Sequence, residues 1–81
     1  MTEVKKTIEV RVYGSHRRIL PEGDAAIVDH VAGETLKGLL TRLNVPPEEV
    51  GVLVVNGSIV TDKFVLSPGD QVCIMSPVAG G

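Results

Sequence analysis

Hydrophobic and polar residues alternate strictly along Thr7-Ile8-Glu9-Val10-Arg11-Val12-Tyr13. Successive side chains of a strand point to opposite faces. This spacing therefore predicts a half-buried strand with Ile8, Val10 and Val12 toward the core and Glu9, Arg11 and Tyr13 away from it. Gly14-Ser15 breaks the alternation. Arg17 to Leu20 and Ala25 to Val31 carry a second strand, interrupted by the turn-rich Pro21-Glu22-Gly23-Asp24, so a long hairpin loop is expected there. After Gly33 the period becomes helical, since Leu36, Leu39, Leu40 and Leu43 fall at i, i+3, i+4 and i+7 and form one apolar stripe. Thr35 is the natural N-cap, Asn44 suits the left-handed C-terminal position, and Pro46-Pro47 forbids continuation. The helix is therefore about three turns at most and needs a sheet to lie on. Gly38 inside it costs about 1 kcal/mol relative to Ala, a loss tolerated where a close neighbour leaves no room for a side chain.

Pro47-Glu48-Glu49-Val50 reads as a connecting turn. Val52-Leu53-Val54-Val55 is wholly apolar and too short for a helix, which predicts the most buried, central strand. Asn56-Gly57 tolerates positive φ at both positions and favours a type I′ turn, hence a tight hairpin into Ser58-Ile59-Val60-Thr61. Asp62 to Leu66 bridges to a second turn, Ser67-Pro68-Gly69-Asp70, and Gln71-Val72-Cys73-Ile74-Met75 alternates again as the last strand. These elements predict an α+β fold with one main helix on one face of a mixed sheet of four to five strands. The expected organisation is a flexible N-terminus over 1–6, a domain over 7–76 and a flexible tail over 77–81.

The 81 residues make one domain, near the lower end of what buries an adequate core without disulfides or metal; 43% hydrophobic content suffices for it. With one Tyr, one Phe and no Trp, that core is aliphatic. Cys73 is the single cysteine, which excludes an internal disulfide and any four-cysteine metal or iron–sulfur site from this chain alone. The N-terminal residues are short and polar, unlike a signal peptide, and no apolar run spans a membrane. A soluble cytoplasmic protein with no membrane partner is expected. A formal charge of −2 with mixed signs provides no basic stripe, and aromatic stacking platforms are missing. Nucleic acid is therefore not an expected partner.

Candidate chemistry concentrates at Pro77-Val78-Ala79-Gly80-Gly81. Without Cβ atoms, Gly80 and Gly81 pass through a slot too narrow for side chains, so the Gly81 carboxylate is the candidate reactive group, set against the alternative of an ordinary chain end. Residues 76 to 81, extended at about 3.3 Å each, reach roughly 20 Å, and Pro77 stiffens the base of this arm. Tyr13, Cys73 and Met75 fall on the face opposite the core positions Val12, Val72 and Ile74. They form either an apolar docking patch beside the tail or a set covered by other residues. Cys73 could carry a persulfide or simply pack in its strand. His16 and His30 match no metal signature, so no metal site is expected. Asp70, in a Pro-Gly-Asp turn, is expected to accept local backbone hydrogen bonds and not to act as a general base.

The ordered set of hairpin, helix, apolar strand, Asn56-Gly57, Pro68-Gly69-Asp70, last strand and Val78-Ala79-Gly80-Gly81 resembles the ubiquitin-like β-grasp sulfur carriers, the molybdopterin-synthase small subunit and thiamine-biosynthesis carrier families, over about residues 7 to 81. The Gly33-Glu34-Thr35 helix start is similar to the thiamine carrier. Gly69-Asp70 and the proline–valine pair before the glycines are similar to both families. Eukaryotic ubiquitin carries Arg and Leu before its glycines, so Pro77-Val78-Ala79 points away from that branch. The resemblance implies a carrier that is not itself an enzyme and binds no cofactor. A separate E1-like adenylating enzyme would join Gly81 to AMP using ATP and magnesium, and a cysteine desulfurase or rhodanese would supply the sulfur. The thiocarboxylate formed would serve a synthase large subunit or thiazole synthase in molybdopterin or thiazole formation, with Pro77, Val78, Ala79 and Gly80 threading the partner's channel. The alternatives are a modifier conjugated to lysines through Gly81 and a non-reactive interaction module.

Overall fold

The computed structural model describes residues 6–14 and 25–77. Along the chain run β1 (Thr7–Tyr13), β2 (Ala25–Asp29), α1 (Leu36–Arg42), a short 3-10 turn (Pro47–Glu49), β3 (Val52–Val55), β4 (Ser58–Val60) and β5 (Gln71–Met75). The five strands form one sheet in the order β2-β1-β5-β3-β4. Strands β1 and β2 pair antiparallel, β1 and β5 parallel, and β3 lies antiparallel to both β4 and β5. The sheet is thus mixed, with α1 on one face, as the change of period predicts. Arg17 to Leu20, the Pro21–Asp24 turn and His16 lie outside the described residues, as do Val78, Ala79, Gly80 and Gly81.

The helix spans seven residues, and both its ends follow from side-chain chemistry. Thr35 Oγ1 accepts a hydrogen bond from the Gly38 amide at 3.2 Å, satisfying one of the first-turn donors. At the other end Asn44 takes φ 58°, while the Val45 amide donates to Leu40 O at 2.9 Å and the Asn44 amide to Thr41 O at 3.1 Å. This pair of bonds is a Schellman closure, with buried Val45 supplying its apolar contact. The Arg42 guanidinium fixes the last turn by donating to both carboxylate oxygens of Glu34, at 2.9 and 3.1 Å, and to the Asp29 carbonyl at 2.8 Å. Hydrogen bonding to Glu34 raises the Arg42 pKa above its ordinary value, so the guanidinium remains a cation. At Gly38 the neighbour that an added Cβ would meet is the Glu34 Cγ, at 3.2 Å.

Ile8, Val10, Leu36, Leu39, Val72 and Ile74 are the largest fully buried side chains, contributed by β1, α1 and β5. One strand assignment needs correction. The all-apolar Val52–Val55 segment is an interior strand but not the central one; the middle place belongs to β5. Leu53 and Val55 enter the core, but Val52 is 40% exposed and Val54 half-buried. A run of valines carries no polar marker of its outer face, so its alternation is hidden in the sequence.

The type I′ turn forms as expected, with φ of 51° at Asn56 and 85° at Gly57. It is clasped to the turn before β5. Buried Asp70 accepts from the Ser67 amide at 2.8 Å and from Asn56 Nδ2 at 2.9 Å, while Asn56 Oδ1 accepts from the Gln71 amide at 2.9 Å. Asp70 accordingly has a structural role that reaches beyond its own turn.

Candidate functional site at the root of the C-terminal segment

Strand register assembles the site. The parallel pairing of β1 with β5 sets Arg11 beside Cys73 and Tyr13 beside Met75. Antiparallel pairing then continues these rows to Val54 and Val52, and Val54 lies opposite Ile59 of β4. Because strand side chains alternate, all these residues occupy the sheet face that the helix does not cover. Tyr13 is 49% exposed, Met75 42% and Ile59 79%. The three residues singled out in the sequence for docking are therefore neighbours on an open face, with Cys73 half-buried at its centre.

This face leads directly to the tail. The Ser76 amide donates to the Tyr13 carbonyl at 2.9 Å, and the Gly51 amide donates to the Met75 carbonyl at 2.8 Å. Strand β5 is thus held from both sides up to its last residue. Pro77 then removes the next donor and ends the ladder. Gly51 makes this closure possible: a Cβ there would stand 2.8 Å from Pro77 N and 2.9 Å from Met75 O, both backbone atoms with little freedom to move. The sequence reading did not single out Gly51. Its signal was a glycine at the entrance to an apolar strand, a position that marks close approach of another backbone. Val52, Val54, Ile59 and Arg11 were likewise not assigned to the docking face.

The open face also has a recess of about 400 Å³ whose lining includes Glu9, Arg11, Tyr13, Val54, Gln71 and Cys73. Arg11 Nε stands 3.4 Å from Glu9 Oε2, both side chains being substantially exposed. Hydrogen bonding to Tyr13, then Glu9, raises the Arg11 pKa further, so its charge is permanent. On the opposite side of the sheet a groove of about 480 Å³ runs between α1 and β3–β4, lined mainly by aliphatic residues such as Leu40, Val45 and Leu53, with Lys37 and Asp62 also on its lining.

His30 is half-buried, and its Nε2 donates to the Leu66 carbonyl at 2.9 Å, a structural bond within the fold. Among the described residues no three His, Cys, Asp or Glu side chains converge as metal ligands, and no helix is long and apolar enough to cross a membrane.

A single helix across one face of a five-stranded mixed sheet, with the last strand running out beside an open apolar face, defines the ubiquitin-like β-grasp class. Solved structures share the fold, among them these two. SAMP1 from Haloferax volcanii superposes with a TM-score of 0.73 at 17% identity, covering 93% of this chain and 99% of that one. Urm1 from Trypanosoma brucei gives 0.71 at 20% identity, covering 99% and 100%. The sequence matches the ThiS family model over residues 10–81, and the chain belongs to that family. No curated protein matches it. Membership of this family supports a sulfur carrier or a ubiquitin-like modifier.

Proposed function

We propose that the protein is a sulfur carrier whose C-terminal Gly81 is activated by a separate E1-like adenylating enzyme and converted to a thiocarboxylate. A carboxylate is a poor electrophile. Its oxygen attacks the α-phosphorus of magnesium-bound ATP, forming an acyl-adenylate and releasing pyrophosphate. The terminal sulfur of a donor persulfide, of the desulfurase or rhodanese type, then attacks the carbonyl carbon and AMP leaves. A second thiol of the partner enzymes cleaves the resulting acyl disulfide, forming a disulfide with the donor sulfur and releasing the thiocarboxylate, with a C–S bond in place of C–O. That nucleophilic sulfur is handed to a synthase that builds molybdopterin or a thiazole. The chain itself positions the group. Gly80 and Gly81 give a backbone without side chains for a narrow channel, and Pro77, Val78 and Ala79 form the segment that enters it.

The observation that carries this proposal is the family match extending through Gly81. The pinned root of β5 supports it: the backbone hydrogen bonds from the Ser76 amide to Tyr13 and from the Gly51 amide to Met75 fix the end of the strand just ahead of Pro77. Tyr13, Cys73 and Met75 beside that strand end are the docking surface for the enzymes that act on the tail.

The test is ATP–pyrophosphate exchange with the cognate adenylating enzyme, together with the intact mass of the protein isolated from its own host. Exchange by the native chain, its loss when Gly80 and Gly81 become Ala, and a mass gain matching one oxygen replaced by sulfur are expected. Branched Gly-Gly peptides on lysines without that mass gain would establish the modifier function instead. Wild-type exchange by the Ala-terminated chain would exclude both.

A further inference from the structure

Cys73 is a short side chain between the long Arg11 and the branched Val54. In its row across the sheet stand Arg11, Cys73, Val54 and Ile59, and in the next row Tyr13, Met75 and Val52. The recess of about 400 Å³ lies at Cys73, with apolar Cys73 and Val54 and polar Glu9, Arg11 and Gln71 in its lining. Gly57, also on the lining, adds no side chain that could close it.

Arg11 carries the positive charge at this recess. Its ion pair with Glu9 is long, 3.4 Å through a single oxygen, and its side chain is 56% exposed. Such an exposed pair contributes little and exchanges readily for a better partner. By contrast, the Arg42–Glu34 pair is bidentate and held against the Asp29 carbonyl. Arg42 is committed to the fold, whereas Arg11 bonds Tyr13 and Glu9 on the solvent-exposed face, where a stronger acceptor can displace them. A guanidinium offers five donors in one plane and suits a carboxylate that meets its edge in that plane, through two parallel N–H···O bonds.

From these observations we infer that the recess around Cys73 receives an apolar side chain of the partner enzyme that carries a neighbouring carboxylate, and that Arg11 selects this partner by pairing with that carboxylate. The inference rests on the carrier function proposed above and specifies the partner surface that the open sheet face accepts: an apolar knob flanked by Asp or Glu. Complementary charge at the edge of an apolar contact accelerates encounter and rejects partners with a basic residue at that place. Arg11 thereby acts as a specificity residue, remote from the carboxylate chemistry at Gly81.

The experiment measures binding of the full chain to the adenylating enzyme of the same host by calorimetry, with pyrophosphate exchange on the same samples. Arg11→Glu is expected to weaken binding about tenfold or more, Arg11→Gln less, and Arg11→Lys about threefold at most. The affinity of the wild type falls with added salt more steeply than that of Arg11→Gln, a readout that a purely structural Arg11 would not move. In exchange assays Arg11→Glu raises KM while kcat at saturating carrier stays at the wild-type value. Cys73→Leu, which fills the recess, also weakens binding while thermal unfolding stays unchanged. Wild-type affinity of Arg11→Glu with exchange intact overturns this inference and leaves the carrier function standing. A fall in kcat with KM unchanged also overturns it. Failure of the wild-type chain to support any exchange overturns the carrier function and this inference together.

Discussion

At the scale of single residues, function depends on small atoms in tight places. Gly51 lets two backbones meet at the root of the tail, where an added Cβ would stand 2.8 to 3.0 Å from Pro77 and Met75 main-chain atoms. Gly51→Ala must therefore displace the Ser76–Pro77 backbone, and a loss of about 1 to 3 kcal/mol is expected, as for other overpacked sites. Urea unfolding measures the loss, and the amide shift of Ser76 in solution reports the displacement; unchanged values for both would show that the root is not closely packed. Met75→Glu places a charge on the exposed apolar face. It should weaken binding to the adenylating enzyme at least tenfold while leaving the unfolding midpoint near that of the wild type. A variant that unfolds would show that Met75 supports the core.

Elements were legible where capping chemistry and period agree. Strict alternation located β1, and the leucine stripe located α1 with both its caps, because Thr35 and Asn44 satisfy local backbone needs that no distant contact has to supply. Where all residues are apolar, the period marks no face. Nothing local separates Val52 and Val54 from Leu53 and Val55, and only pairing with β4 and β5 decides which pair faces water. The clasp between turns is also invisible locally, since Asn56 and Asp70 lie far apart in the chain. Asp70→Ala leaves the Ser67 amide and the Asn56 carboxamide without their acceptor. A destabilisation of about 1 to 3 kcal/mol is expected from the lost partners, measured by chemical unfolding. A neutral outcome would mean that the clasp contributes nothing net.

Across the whole molecule the two faces of the sheet divide the work. The helix side buries the aliphatic core, in which Leu39 is fully enclosed. Leu39→Ala should cost about 2 to 5 kcal/mol through lost burial and the cavity left behind. Deleting Gly80 and Gly81, beyond the last strand, should leave the thermal midpoint unchanged while abolishing pyrophosphate exchange. Comparable losses of stability from the two changes would mean that the tail is part of the packed domain. The open side is left apolar from Tyr13 to Ile59, an extended exposed surface suited to a partner that acts on the tail.

The sequence alone determined the α+β class, the helix and its caps, and the type I′ turn. Each is encoded in residues adjacent along the chain, through backbone sterics, capping hydrogen bonds and hydrophobic period. Tertiary structure alone decided that β5 is central, that Arg11 stands beside Cys73, and that Gly51 meets Pro77. Those relations join segments distant along the chain. They depend on which strands pair and in what register, and pairing is settled by the burial of the whole sheet beneath one helix.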